Sequence, residues 1–164
     1  MANFVWNYSS TNKNVKEKPS PKDENSLSDL VKIHLDYDLL QRNLVINREV
    51  EIKRSTGNRD GERTDIYVQA LSNHDDKLSL VIEVKGCWNP DIPTSMETQL
   101  KNRYLSKYKS SVGIYLVGWY YCAHYPAPLK HKNKKKFIKK INEQAISLCD
   151  ERVTIKGVVL DCTI

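Results

Sequence analysis

Glu83 and Lys85 stand two apart in Val81-Ile82-Glu83-Val84-Lys85, an apolar run that ends in a carboxylate and an ammonium. On a strand, residues two apart point to the same face. Removing either charge from water costs several kcal/mol unless partners compensate. The pair is therefore either a mutual ion pair at a sheet rim or a polar site at a strand end, where Glu83 binds a metal. Asp65 favours the second reading. It begins the preceding strand, and the short turn 72–77 makes the two strands antiparallel neighbours, which brings Asp65 alongside Glu83 and Lys85. Converging carboxylates repel, and a divalent cation relieves the repulsion. Oxygen ligands with room for water suit Mg²⁺ or Mn²⁺. The backbone carbonyl of Val84 lies between the two side chains and can complete the ligand set.

The elements that must hold these residues are legible along the chain. Ser26-Leu27-Ser28-Asp29 reads as a helix start with Ser26 as cap, followed by Leu27, Leu30, Ile33, Tyr37 and Leu40 at helical spacing. Residues 44–52 alternate, with Leu44, Ile46, Val50 and Ile52 on one face and Glu49 and Glu51 on the other. Gly57-Asn58 and Asp60-Gly61 mark a turn-rich loop before a second strand at 64–71. The third strand, 78–85, is almost continuously apolar, which predicts a central position buried on both faces. A helix at 95–108, a strand at 111–121, a helix at 133–149 and a strand at 153–160 complete the order αβββαβαβ. This predicts an α/β fold with a mixed central sheet flanked by helices. Residues 1–25 are rich in Asn, Ser, Lys and Pro and read as a flexible tail or linker, leaving 26–164 as one domain.

Asp65…Glu83-Val84-Lys85, on the last two strands of a three-strand meander within an αβββαβ pattern, resembles the motif of the PD-(D/E)xK nuclease superfamily. That group includes restriction endonucleases and Holliday-junction resolvases. The resemblance covers roughly 26–121 and departs from the pattern at Thr64, where the family has proline. It implies a restriction-endonuclease-like core and metal-dependent hydrolysis of phosphodiesters. Asp65 and Glu83 would be metal ligands, and Lys85 would orient the attacking water or stabilise developing charge. DNA is the implied substrate, in either strand form. An additional upstream acid is common in the family, and Glu49 or Glu51 would supply it. Some branches carry Gln and Tyr on the following helix with three residues between. Gln99 fits the first role, but four residues separate it from Tyr104. Arg103, on a common face with Gln99, suits a phosphate contact. His34 stands on the first helix, where some branches place a His or an acid.

Charge points to the same class of partner. The net charge of the 164-residue chain is +6, and seven lysines, including Lys130, Lys132, Lys134, Lys135 and Lys136, fall between Lys130 and Lys140. Such a tract holds phosphates without reading sequence, although it also suits a solvated surface. The loop 53–63 is a second basic stretch. Trp88, just past Lys85, is placed to touch substrate, whereas Trp119-Tyr120-Tyr121 reads mainly as core strand. Cys87, Cys122, Cys149 and Cys162 lack the spacing of a zinc site or disulfide framework and read as reduced thiols. No apolar run is long enough to cross a membrane and no secretion signal opens the chain, so a cytoplasmic protein is expected. A tail of this kind would suit an effector domain of restriction or anti-phage defence joined to a larger sensor or ATPase, and nucleases of this class often form homodimers. A catalytically silent nucleic-acid-binding module of the same fold is the alternative.

Overall fold

A short helix-capping motif sets the start of the domain. Asp23 Oδ1 accepts hydrogen bonds from the Ser26 backbone N–H (2.9 Å) and hydroxyl (2.8 Å), so the first long helix, α1, spans Glu24–Leu39. Ser26 was the expected cap; it lies inside the first turn, because the acid three residues earlier is the better-placed acceptor. The computed structural model describes residues 5–9, 18–39, 44–53, 62–71, 77–121 and 133–164.

The remaining elements are β1 (Trp6–Ser9), β2 (Lys18–Pro21), β3 (Leu44–Lys53), β4 (Glu62–Leu71), β5 (Lys77–Gly86), β6 (Val112–Trp119), α4 (Lys134–Leu148) and β7 (Thr154–Asp161). Between β5 and β6 runs one continuous helical stretch in three parts. These are α2 (Ile92–Ser95), a π-helical segment (Met96–Leu105) and α3 (Ser106–Tyr108). Lys109 ends it in the left-handed conformation, with φ of 50°.

Five strands form one sheet in the order β3-β4-β5-β6-β7. The first three pair antiparallel as a meander, and β5-β6 and β6-β7 pair parallel. This is the mixed sheet that the alternation of strands and helices predicts. β5 lies in its middle, and Val81, Ile82 and Val84 are almost fully buried, which explains why its apolar run is unbroken. Two glycines show which helix covers which face. A β-carbon on Gly118 would meet Leu27 of α1, whereas one on Gly113 would meet Leu100 and Leu105 of the π-helical segment. Positions 113 and 118 face opposite ways, so α1 packs on one face and the π-helical segment on the other. The second face also carries α4, whose Ile141 lies against Gly157.

The N-terminal segment departs from the expectation of a tail. β1 and β2 pair antiparallel, Val5 and Trp6 are buried, and the Trp6 indole N–H donates to the Cys162 carbonyl at 2.7 Å. Trp6 also packs on Tyr120 with ring centroids 5.4 Å apart. One large aromatic with a partner for its polar edge is enough to dock a hairpin that is otherwise polar. Composition averages over a segment and hides a single anchor. In α1 the difference runs the other way: Leu27 and Leu30 are buried, but Ile33 and Tyr37 are exposed. No helix among the described residues is long and apolar enough to cross a membrane.

Candidate active site

β5 carries Glu83 and Lys85 to the end of the sheet nearest the start of α1. Both are buried, with 2% and 9% of their surface exposed, and Lys85 Nζ lies 2.8 Å from Glu83 Oε1. Two charges this deep require compensation, and a second carboxylate supplies part of it. Glu24, the first residue of α1, approaches Lys85 Nζ with Oε2 at 3.8 Å. Its other oxygen accepts from the Gly86 N–H and the Asn89 side-chain amide, both at 2.8 Å. Glu24 thus fastens the helix start to the end of β5 and is a second carboxylate beside the lysine.

Strand register extends the site across the sheet. Pairing of β4 with β5 runs to Ile66 opposite Ile82, so position 65 lies one residue past the last pair, at the same end of the sheet as Glu83. Pairing of β3 with β4 sets Arg48 opposite Ile66 and Val50 opposite Thr64, which brackets position 49 across from 65. Positions 49, 65 and 83 therefore lie on three adjacent strands towards the same end of the sheet. Glu51 instead falls opposite Arg63. Of the two upstream acids, register puts position 49 rather than 51 nearest to position 65. The side chains of Glu49, Glu51 and Asp65 lie outside the described residues.

On the other side of β5, Tyr115 pairs with Glu83. Its hydroxyl shares a 2.6 Å hydrogen bond with Ser95, and burial pushes its pKa well above the ordinary phenol range despite that bond and the nearby Lys85 charge. Tyr115 therefore stays neutral and forms a dry wall beside the carboxylate.

Glu83 and Glu24 offer hard oxygen donors, and both lie within ion-pairing distance of Lys85. Carboxylate oxygens with no soft ligand among them favour Mg²⁺ or Mn²⁺. Among the described residues, no group of three or more His, Cys, Asp or Glu side chains is gathered as a metal site.

The other expected site residues separate into three sets. Trp88 is near the site, half-buried and edge-on to Tyr120 at 4.6 Å, and Val84 lies between the charged pair with its side chain fully buried on the opposite face. Gln99 is half-buried and Arg103 exposed on the π-helical segment, whereas Tyr104 is buried. His34 is exposed on α1. The lysine tract lies on and before α4. Lys134 is ion-paired with Asp161, Lys135 and Lys136 are exposed, and Lys130 and Lys132 fall outside the described residues. Trp119 and Tyr120 are core, as the strand pattern implied, and Trp119 packs on Phe137 at 5.2 Å. Glu24, Asn89 and Tyr115 are the residues that sequence reasoning missed. The one available signal was the Asp23-Glu24 pair immediately before a helical repeat, which acidic first-turn preference would have marked.

No protein-family model, no curated protein and no solved structure matches the chain. The functional reading rests on the residues themselves.

Proposed function

We propose that the chain is a metal-dependent nuclease of the PD-(D/E)xK type that hydrolyses phosphodiester bonds of DNA, on a restriction-endonuclease-like core. The observation that carries this reading is Lys85 held against the buried Glu83 at the end of β5, with acidic positions 65 and 49 on the next two strands towards the same end of the sheet. A structural ion pair needs one acid, whereas phosphodiester hydrolysis by this chemistry needs several acids and a fixed cation. Glu83, with Asp65, Glu49 and the Val84 carbonyl, would hold Mg²⁺ or Mn²⁺, which lowers the pKa of a bound water and polarises the phosphate. Lys85 is oriented by Glu83 and Glu24 so that its ammonium donates hydrogen bonds to a non-bridging phosphate oxygen as charge builds there. The neutral Tyr115 and the apolar core behind it exclude water and strengthen that interaction. Exposed lysines of α4 and Arg103 would hold the phosphate backbone without reading bases. An effector of restriction or anti-phage defence, attached to a sensor or ATPase and acting as a homodimer, is the biological setting that fits this chemistry.

The test is cleavage of supercoiled plasmid and of a labelled single strand in Mg²⁺, Mn²⁺ or EDTA, beside Lys85→Ala. Metal-dependent cutting that vanishes in the variant is the expected result. Equal DNA binding by both proteins with no cutting in any metal would replace the nuclease with a binding module of the same fold.

A further inference from the structure

A cavity of about 630 Å³ lies where the helical stretch before β6 ends. Lys101, Asn102 and Ser106 border it from that stretch, Lys109 and Ser111 from the turn into β6, and Arg152 from the approach to β7. It is far from the charged pair. Pairs between β5 and β6 run from Leu80–Val112 to Lys85–Val117, so the start of β6 stands five residues (117 − 112) from the level of Lys85, or about 17 Å along the strand. The charges on its rim differ in what they already hold. Lys101 Nζ donates to Asp150 Oδ2 at 2.8 Å and to the Leu148 carbonyl at 2.7 Å. The other Asp150 oxygen accepts from the backbone N–H groups of Arg152 and Val153, at 2.9 and 3.0 Å. That carboxylate is committed, and Lys101 offsets its charge. Among the described residues, no carboxylate lies within ion-pairing distance of Lys109 or Arg152. Glu151 is exposed and does not border the cavity.

The backbone singles out Lys109 as well. Among the described residues it alone, glycines aside, has a positive φ, at 50°. Glycine adopts that conformation without strain and a residue with a side chain does not, yet the position carries an ammonium. The same turn covers the negative end of the helix. The N–H groups of Lys109 and Ser110 donate to the carbonyls of Ser106 (3.4 Å) and Leu105 (3.1 Å), so fewer bare carbonyls oppose an anion there. Two cations without a carboxylate partner, with hydroxyl and amide donors around them, select an anion that has several acceptor oxygens. A phosphomonoester brings three such oxygens and about −1.5 to −2 charges near neutral pH. A backbone diester brings one charge per phosphate. The volume falls within the range of small-ligand pockets. We propose that this cavity binds the phosphate of a small phosphomonoester, with Lys109 and Arg152 as its cations, at a site separate from Glu83 and Lys85. The site stands apart from the nuclease reading, and its binding is measured without cleavage.

The test is isothermal titration calorimetry in EDTA at constant ionic strength, with inorganic phosphate, 5′-AMP and adenosine as probes. A short single strand bearing either a 5′-phosphate or a 5′-hydroxyl is titrated beside them. Phosphate and AMP should bind with Kd of about 1 mM or tighter, and adenosine should not bind. Lys109→Gly and Arg152→Gln should each weaken AMP binding about tenfold or more. Because glycine relieves the left-handed strain, Lys109→Gly should hold or raise the ligand-free Tm while binding falls. A merely structural lysine would not separate the two readouts in that way. No heat with phosphate or AMP, or binding that survives both substitutions, would overturn the proposal. Binding of the 5′-phosphorylated strand without AMP binding would assign the cavity to strand ends. Equal binding of both strands, lowered alike by the two substitutions and without AMP binding, would assign its cations to the nucleic-acid backbone. Either of these results removes the small ligand.

Discussion

At the scale of single residues, Lys85 and Glu24 play different parts that substitutions can separate. Lys85 touches Glu83 directly, and a nuclease mechanism asks its ammonium to meet the phosphate. Lys85→Met keeps the stem and removes the charge, so cleavage should fall by about a hundredfold or more. Because the partner carboxylate remains buried, stability should also fall, by about 3–5 kcal/mol in a denaturant titration. Glu24→Gln keeps an acceptor for the Gly86 N–H and removes only the charge that faces Lys85. Its Tm should move little while kcat falls about tenfold with KM unchanged, the pattern of a positioning residue. Equal losses in Tm for both variants would mean that Glu24 serves the helix junction alone. Of these residues, Glu83 and Lys85 were visible in the sequence, because charge at the end of an apolar strand is conspicuous. Glu24 was not, because nothing local ties an acid at a helix start to a lysine 61 positions later (85 − 24).

At the scale of elements, two features depart from local expectation. The first is the β1-β2 hairpin, anchored by Trp6 on Cys162 and Tyr120. Trp6→Ala should cost about 3–5 kcal/mol, measured by chemical denaturation, which no change in a flexible tail would do. Trp6→Phe, which loses the indole N–H but keeps a ring, should cost less. The second is the π-helical segment Met96–Leu105, between β5 and β6. Gln99 and Tyr104 are five apart, one residue more than the pattern that the resemblance implies. In a π-helix hydrogen bonds run from i to i+5, so residues five apart come nearly one turn on and share a face. An α-helix would turn them apart. Sequence periodicity marked a helix here but not its winding, since a wide turn leaves no separate hydrophobic signature.

At the scale of the whole molecule, charge and buried acids set how the protein responds to solvent. The exposed Lys135 and Lys136 project from the start of α4, whereas Lys134 is engaged by Asp161. Replacing Lys135 and Lys136 with alanine should weaken DNA binding across sequences and reduce the salt-dependence slope by about one for each phosphate no longer neutralised. Lys134→Ala should reduce it less. A slope unchanged in the double variant would remove the tract from the nucleic-acid surface. Alkaline conditions probe the core instead. Burial pushes the Cys162 thiol up to about 11 from 9.0, and it also raises Cys87, Tyr115 and Tyr120. A raised pKa means that the folded state holds its proton where the unfolded chain has released it. Stability from Cys162 is therefore full below pH 9 and lost as pH rises towards 11. Calorimetry under reducing conditions should show Tm falling across that window, and Cys162→Ala should flatten the fall.

The strands, the order αβββαβαβ from residue 26 onward and the mixed sheet were legible in the residues alone, because hydrophobic period and turn residues act locally. Sequence also marked Glu83 and Lys85, whose burial at a strand end is written in their apolar neighbours. What crosses the sheet or joins its ends came from the folded chain. Register set position 49, rather than 51, across from 65; helix docking brought Glu24 to Lys85; and Cys162 at the far end of the chain gave Trp6 its partner. The physical reason is range. A side chain's periodicity is fixed by its own backbone, but its partner is fixed by which surfaces bury each other, and that depends on the whole chain at once.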